Sequence, residues 1–338
     1  MQIFQPWTIR NLHFKNRIVM PPMCLFTAGP DGLAHDRHLV HYASRAMGGP
    51  SLIIMEATGV LPEGRISGNC LGLWEEPQVT GLARIVGACQ REGALMAIQL
   101  NHAGRKCEAP ANFILGPSAL AFGEDYPLPR EMSKEDMDRV KEAFCSAALR
   151  ADRAGFDAIE IHGAHGYLLS SFLSPLANQR KDEYGGSLEK RARFPLEVLE
   201  AVRQVWPKEK AILLRLSAVD HHPDGIQLPE TVEFVRMARP LIDIVHISSG
   251  GNARVPIHVY PGYQLPLAQA VKKETGVPVI AVGLIQTREM AEDILVNGQA
   301  DFVALGRELL RNPNWVHQNR KEAGLPYEGP DIYRQAFD

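Results

Sequence analysis

Short apolar runs, often β-branched, recur along the chain with longer amphipathic stretches between them. This alternation is typical of parallel strands joined by crossover helices. Eight runs fit the pattern, and we predict strands at Ile18–Met20, Leu52–Glu56, Met96–Leu100, Ala158–His162, Ala211–Leu216, Ile244–Ser248, Val279–Val282 and Phe302–Leu305. The sequence therefore predicts an α/β protein, a single (β/α)8 TIM barrel that forms one domain over residues 1–338.

Capping residues mark the helices between these strands. Ser133-Lys134-Glu135-Asp136 is a capping box that opens a helix ending near Gly155. A second helix is predicted from Leu188 to Val205, with Ser187 as its N-cap, and a third from Thr287 to Asn297. Each helix leads into a predicted strand, as the barrel requires.

Two further kinds of segment lie outside this repeat. Phe4 to Phe14 is predicted to form a short hairpin around Arg10-Asn11 that covers the N-terminal end of the barrel. The connections Asn101 to Met132 and His165 to Gly186 are long and follow strands. In barrels of this kind, such loops build the functional site.

Composition narrows the class of partner. The 338 residues are 45% hydrophobic and 22% charged, with a net charge of −3 and no long block of like charge. Neither nucleic acid nor an anionic membrane is an expected partner, so a small molecule is expected instead. No basic segment followed by an apolar one opens the chain and no run is long enough to span a bilayer, which predicts a cytoplasmic protein.

The cysteines do not indicate a metal or disulfide framework. Five cysteines are scattered along the chain without a CxxC pair. We predict that four of them pack in the interior and that no metal is bound.

Candidate chemistry gathers where the predicted strands end, because these ends share one mouth of the barrel. They supply Pro21-Pro22-Met23-Cys24, Glu56-Ala57, Gln99, His162, His165, Arg215, Ser249-Gly250, Gly283 and Gly306-Arg307. No pair of carboxylates suited to acid and base catalysis stands among them.

Glu160-Ile161-His162-Gly163-Ala164-His165-Gly166-Tyr167 is the most informative segment. His162 and His165 could donate hydrogen bonds to one carbonyl oxygen and stabilise an enolate, while Tyr167 supplies a proton. Two other interpretations stay open. The histidines could be satisfied by backbone carbonyls, or they could be metal ligands, although no third ligand stands at a recognised spacing.

Arg215 lies inside an otherwise apolar strand, where an unpaired cation is costly. A flavin would supply the anion, because its reduced ring is negatively charged, and the alternative is an ion pair across the barrel. Gln99 offers a donor and an acceptor to a flavin's pyrimidine edge, or is an ordinary polar cap.

The last two predicted strands are followed by Gly283 and by Gly306-Arg307, at the usual phosphate corner of such barrels. The alternative there is a plain turn with a surface arginine. Cys24 could hydrogen-bond weakly to a ring system and tune its potential, or it is a buried inert thiol.

Taken together, these motifs resemble the old yellow enzyme family. The resemblance is more specific to its thermophilic-like, or YqjM-like, bacterial branch of ene-reductases and NADPH dehydrogenases. It runs nearly end to end and depends on five segments, namely Asn16 to Cys24, Gln99 to Lys106, Glu160 to Tyr167, Asp182 to Ser187 and Ala304 to Leu310.

The resemblance implies non-covalently bound FMN, NADPH or NADH as donor in a ping-pong cycle, and reduction of the C=C bond of α,β-unsaturated carbonyl or nitro compounds. It implies that His162 and His165 hold the acceptor's oxygen, that Tyr167 is the proton donor and that Cys24 tunes the flavin. The expected FMN contacts are Pro21, Pro22, Met23, Cys24, Ala57, Gln99, Arg215, Ser249, Gly250, Gly283, Gly306 and Arg307.

Two positions depart from the branch's pattern. Phe26 stands where a substrate-binding tyrosine is usual, so that wall of the substrate site loses a hydroxyl donor. Near the end, Tyr333-Arg334-Gln335 puts the arginine one place earlier than the arginine that reaches a neighbouring subunit's site in the branch. Homodimers or homotetramers are still expected from the resemblance.

The sequence leaves three alternatives open. A related FMN barrel of the dienoyl-reductase or demethylase kind usually adds a cysteine-rich iron–sulfur segment, and this sequence contains no such segment. A metal-dependent hydrolase would use His162 and His165 as ligands. A flavin-binding stress protein would turn over every acceptor slowly.

Overall fold

In the computed structural model, which describes residues 1–10 and 12–337, the backbone alternates strands and helices along most of its length. The strands are β1 Trp7–Ile9, β2 Leu12–Phe14, β3 Ile18–Met20, β4 Leu52–Gly59, β5 Leu95–Asn101, β6 Leu115–Gly116, β7 Arg130–Glu131, β8 Ala158–Gly163, β9 Ala211–Ser217, β10 Ile244–Ser248, β11 Val279–Ala281 and β12 Phe302–Ala304. The helices are α1 Asp36–Met47, α2 Pro77–Arg91, α3 Lys134–Arg153, α4 Leu168–Leu173, α5 Leu188–Val205, α6 Leu228–Ala238, α7 Leu265–Thr275, α8 Arg288–Val296, α9 Arg307–Arg311, α10 Trp315–Glu322 and α11 Arg334–Phe337.

Eight parallel strands close into a barrel. In chain order they are β3, β4, β5, β8, β9, β10, β11 and β12, and β12 pairs back onto β3 through Val303 beside Ile18. All eight predicted strands are present, and the TIM-barrel prediction is confirmed. The largest boundary difference is β4, which continues past Glu56 to Gly59 after an irregularity between Met55 and Thr58.

The predicted hairpin also forms, with β1 antiparallel to β2, although Asn11 at its turn lies outside the described residues. Phe14 and Trp7 contact Phe302 at ring-centroid distances of 4.5 and 4.9 Å. Phe14 and Leu12 join one apolar cluster with the first residues of several barrel strands. The hairpin therefore closes the N-terminal end of the barrel and leaves the other end for the site.

The N-caps predicted from the sequence form capping hydrogen bonds, with one exception. Ser133 accepts a hydrogen bond from the Asp136 backbone at 3.2 Å, and Asp136 accepts in return from Ser133, so the capping box of α3 is confirmed. Thr287 caps α8 through the backbone of Met290. Ser187 stands at the N-cap of α5, but its side chain makes no capping bond to the backbone.

No helix of the described residues combines the length and the apolar character needed to cross a membrane.

Candidate functional site

A cavity of about 290 Å³ opens at the C-terminal end of the barrel. Seven of the predicted cofactor contacts line it, namely Pro21, Pro22, Met23, Arg215, Gly283, Gly306 and Arg307. The loops after β3, β11 and β12 thus face the same space as the arginine of β9. Two cations on one cavity favour a ligand with two separate anionic or electron-rich groups.

Arg215 lies at the inner part of this site and is only 8% exposed. Burial lowers the pKa of its guanidinium, and the negative charge of Glu160 acts in the opposite direction. Its Nε atom has no hydrogen-bond partner among the described residues. A buried cationic donor without a partner is costly, so the geometry favours a bound acceptor beside Arg215.

His162, His165 and Tyr167 form a compact aromatic cluster after β8. The His162 ring lies 5.2 Å from that of His165 and 4.9 Å from that of Tyr167, and both contacts are edge to face. His162 lies beside Arg215 in the register of β8 and β9, and the ring of His165 bonds to Ser248; both Arg215 and Ser248 line the cavity. The cluster therefore adjoins the residues of the cavity.

A strained turn holds His165 in place. Its φ of 61° lies in the left-handed region, which non-glycine residues seldom adopt. Gly166 follows with φ of 74°, and a Cβ there would lie 2.1 Å from the carbonyl oxygen of Gly251. The loops after β8 and β10 can approach this closely only because both positions are glycines.

The two histidines are neutral hydrogen-bonding groups. Burial, followed by neighbouring cationic groups, holds the pKa of His162 and of His165 well below the usual value. Because the Nδ1 atom of His162 accepts from the Ala164 backbone at 3.2 Å, its hydrogen resides on Nε2. The Nε2 atom of His165 lies 2.8 Å from the hydroxyl of Ser248. His162 is therefore the less engaged of the two donors.

Tyr167 is held as a neutral phenol, because burial raises its pKa above the usual value. Lys106 lies against the same cluster. Its Nζ atom donates to the carbonyl oxygen of His165 at 2.9 Å and lies 5.2 Å from the centre of the Tyr167 ring. Burial lowers the pKa of Lys106 to about 8. Lys106 thus ties the loop after β5 to the histidine turn.

The chain matches the model of the NADH:flavin oxidoreductase / NADH oxidase family over residues 2–326. It is 52% identical to an NADPH dehydrogenase of Clostridium acetobutylicum over 339 residues, which cover both chains completely. An NADPH dehydrogenase of Geobacillus thermodenitrificans is 49% identical, over 99% of this chain and 98% of its own. The chain belongs to this flavin oxidoreductase family.

Solved structures agree with this assignment. Morphinone reductase matches with a TM-score of 0.82 and 27% identity, over 99% of this chain and 96% of its own. 2-Naphthoyl-CoA reductase matches with a TM-score of 0.90 and 26% identity, but this chain spans only 52% of its length. This chain is therefore similar in structure to nearly the whole of morphinone reductase and to about half of 2-naphthoyl-CoA reductase.

Family membership confirms the resemblance to old yellow enzymes and the expected class, an oxidoreductase with FMN and a reduced nicotinamide dinucleotide as its cofactors. The residues fit FMN. The phosphate and the ring of FMN would need separate positive partners, and Arg307 and Arg215 line one cavity, where Nε of Arg215 has no partner within the described part of the chain. No group of three metal-ligating side chains occurs among residues 1–10 and 12–337, which leaves His162 and His165 without a third ligand.

The other predicted contacts are not among the residues that line this cavity; they are Cys24, Ala57, Gln99, Ser249 and Gly250. Cys24 is half-buried, its thiol interacts with the Ala57 backbone, and burial raises its pKa to about 12. Ser249 bonds to Gln264, and the carbonyl of Gly250 accepts from Ser217 at 2.7 Å.

The two departures from the branch's pattern lie at exposed positions. Phe26 is 45% exposed and has a φ of 51°, so its backbone is in the left-handed region. Arg334 lies in α11 and pairs with Asp331 of the same chain at 2.8 Å.

Several residues of the site were not predicted from the sequence. Ser248 contacts His165, and its place as the last residue of a correctly predicted strand was an available signal. Tyr263 and Gln264 line the cavity from a loop with no recognisable motif. Glu160 and His246 face each other inside the barrel, a contact that only the closed sheet reveals.

The pH dependence of the site follows from these groups. An ordinary histidine becomes charged as the pH falls through about 6.5, but His162 and His165 have lowered pKa values and stay neutral there. We expect the rate at which an added electron acceptor reoxidises the flavin, measured by stopped flow, to show no step near pH 6.5. A step near pH 6.5 that disappears in His162→Gln would contradict the assignment of His162 as a neutral group. A step near pH 8 would instead be attributed to loss of the proton from Lys106.

Replacing Cys24 with alanine tests the expectation from the sequence that its thiol lies beside the flavin. The protonated thiol is a weak donor, and its loss should disfavour the electron-rich reduced ring. We expect bound flavin with a midpoint potential lowered by about 30 mV, a tenfold change in relative affinity for a two-electron couple. Cys145→Ala on α3 is the matched control. An unchanged potential in Cys24→Ala would assign Cys24 to packing alone.

Proposed function

We propose that this flavin oxidoreductase reduces the C=C bond of α,β-unsaturated carbonyl or nitro compounds, with NADPH or NADH as the electron donor. The observation that supports it most is the cluster of two neutral histidines and a protonated tyrosine beside Arg215. Such a set can bind an oxygen and deliver a proton, which are the two tasks that reduction of a conjugated double bond leaves to the protein.

When bound, FMN supplies the hydride that adds to the β-carbon of the acceptor. The electron pair of the double bond then moves toward the acceptor's oxygen, where negative charge develops. His162 and His165 donate hydrogen bonds to that oxygen, and neutral donors fixed by the fold need no reorganisation as the charge appears. Tyr167 gives its phenolic proton to the α-carbon, and solvent restores it.

Arg215, Arg307 and Gln99 are the residues that we propose hold the cofactor. Arg215 would oppose the negative charge of the reduced ring, and Arg307 the phosphate. The apolar lining residues Pro21, Pro22 and Met23 would exclude water from the surroundings of the ring. Because the chain shows no separate dinucleotide fingerprint, the nicotinamide donor would use the same mouth before the acceptor enters. This order gives the ping-pong cycle, and the names of the relatives support NADPH as the donor.

Product analysis tests this function directly. The protein is incubated without oxygen with 2-cyclohexenone and NADPH deuterated at the transferred position of C4, and the product is examined by NMR. We expect cyclohexanone with deuterium at the β-carbon, and a solvent deuteron at the α-carbon when the reaction runs in D₂O. A product reduced at the carbonyl, or uniformly slow turnover of enones, nitroalkenes and maleimides, would contradict the proposal.

We also propose that residues 1–338 form one FMN-binding domain and that the chain assembles as a homodimer or homotetramer. The family resemblance supports the assembly, and the closed barrel with its hairpin cap supports the single domain. Size-exclusion chromatography with light scattering should give two or four times the chain mass of 37.4 kDa. A monomer would contradict the proposed assembly.

A further inference from the structure

Below the mouth, four buried polar side chains meet inside the barrel. They are Gln99 on β5, Glu160 on β8, Arg215 on β9 and His246 on β10, none of them more than 8% exposed. Bulky apolar side chains are the usual filling of such a barrel. Burying charged and polar side chains is costly unless they satisfy one another's charges and hydrogen bonds. The contacts within this layer are therefore expected to be specific.

Glu160 connects the layer, because each of its oxygens has its own partner. Oε1 accepts from Nε2 of Gln99 at 2.7 Å, and Oε2 lies 2.8 Å from Nδ1 of His246. Burial, together with Arg215, lowers the pKa of His246. The neutral ring therefore carries its hydrogen on Nδ1 and donates it to Glu160.

The bond to Glu160 fixes which way the amide of Gln99 points. With the opposite orientation, the amide oxygen would face a carboxylate oxygen at hydrogen-bond distance, which is repulsive. In the observed orientation, Oε1 of Gln99 receives no hydrogen bond from a described side chain, and Nε2 keeps a second hydrogen. Gln99 thus offers an acceptor and a donor side by side, the set that a flavin's pyrimidine edge requires.

Glu160 is also the counter-charge of Arg215. Arg215 stands beside His246 in the register of β9 and β10, and His246 bonds to Glu160, whose negative charge raises the pKa of the buried guanidinium against the effect of burial. Meanwhile Nε of Arg215 and Nε2 of His246 remain without partners in the described part of the chain. In a low-dielectric interior, a negative charge at Glu160 offsets part of the positive potential that Arg215 presents to a bound group.

We propose that Glu160 is a positioning residue which orients Gln99 and, by offsetting Arg215, limits how strongly the site favours reduced over oxidised FMN. The inference rests on the proposed placement of the flavin beside Arg215 and Gln99. Glu160 does not touch the reacting atoms, so its effect is expected in cofactor affinity and potential rather than in proton transfer.

Glu160→Gln is the primary test, because it keeps the shape and removes the charge. The midpoint potential of the bound flavin should rise by at least about 30 mV, which is a tenfold gain in the preference for the reduced form. Asp243→Asn is the matched control, since it makes the same charge change at the N-terminal end of the strand that carries His246. The midpoint potential of the flavin bound to Asp243→Asn should equal that of the wild type.

Glu160→Asp separates orientation from charge. It keeps the charge but shortens the arm by one methylene, so it cannot reach Gln99 and His246 together. Titration of the apoprotein with FMN, followed by flavin fluorescence, should show about tenfold weaker binding with a potential close to that of the wild type. If Glu160→Gln does not fold, this variant carries the test, and wild-type FMN affinity in it would overturn the proposal.

The outcomes distinguish this inference from the proposed function. Wild-type apoprotein that takes up no FMN would contradict the proposed cofactor site itself. Wild-type protein that binds FMN, together with a Glu160→Gln variant of unchanged or lower potential, would overturn only the role assigned to Glu160. A higher potential in Glu160→Gln but not in Asp243→Asn supports it.

Discussion

Replacing Tyr167 with phenylalanine should slow reoxidation of the reduced flavin by 2-cyclohexenone by about 10²-fold to 10⁴-fold, the usual contribution of a positioned general acid. The phenol is protonated at neutral pH because burial raises its pKa, and it lies against His162. Reduction of the flavin by NADPH needs no proton from Tyr167 and should keep its rate. Stopped-flow absorbance measures the two half-reactions separately.

Tyr126→Phe is the matched control for this substitution. Tyr126 lies in the long loop after β5, where its hydroxyl donates to Glu108 at 2.7 Å. Both half-reactions should keep their wild-type rates in this variant. If Tyr167→Phe slowed reduction by NADPH as much as reoxidation by the enone, the proton-donor role would be excluded.

Replacing His162 with alanine removes a neutral donor aimed at developing negative charge. Loss of one such donor usually costs about 10²-fold to 10³-fold in rate, or roughly 2.7–4 kcal/mol. We expect weaker enone binding and a loss of this size in reoxidation, with a much smaller effect on reduction by NADPH. His162 is the better test of the pair, because the ring of His165 also bonds to Ser248.

His13→Ala controls for the loss of an imidazole elsewhere. His13 is exposed on β2, at the opposite end of the barrel from the mouth, and should leave both half-reactions unchanged. Equal damage to the two half-reactions in His162→Ala would show that His162 holds the structure of the mouth rather than the acceptor's oxygen.

The barrel was predictable because each of its parts leaves a local signal. A strand buried on both faces is a continuous apolar run, as at Val279–Val282, and a capping box such as that at Ser133 marks where a helix begins. Exact strand ends were less accessible. β4 runs on to Gly59 because Thr58 and Gly59 pair with Leu100 and Asn101 at the end of β5, a contact that is not encoded locally.

The sequence predicted those site residues that can be recognised from the end of a single strand. His162, Arg215 and Gly306 each stand out beside their own strand, and the barrel's geometry places them at one mouth. Contacts between strands were not accessible in this way. The pairs Glu160 with Gln99 and His165 with Ser248 join residues 61 and 83 positions apart, and only the closed sheet brings them together.

The absorption spectrum of the purified protein tests the central claim most directly. We expect flavin bands in the visible region that bleach when NADPH is added without oxygen and return when 2-cyclohexenone follows. A colourless protein that cannot be reconstituted with FMN, or flavin bands that NADPH bleaches and the enone does not restore, would contradict the account.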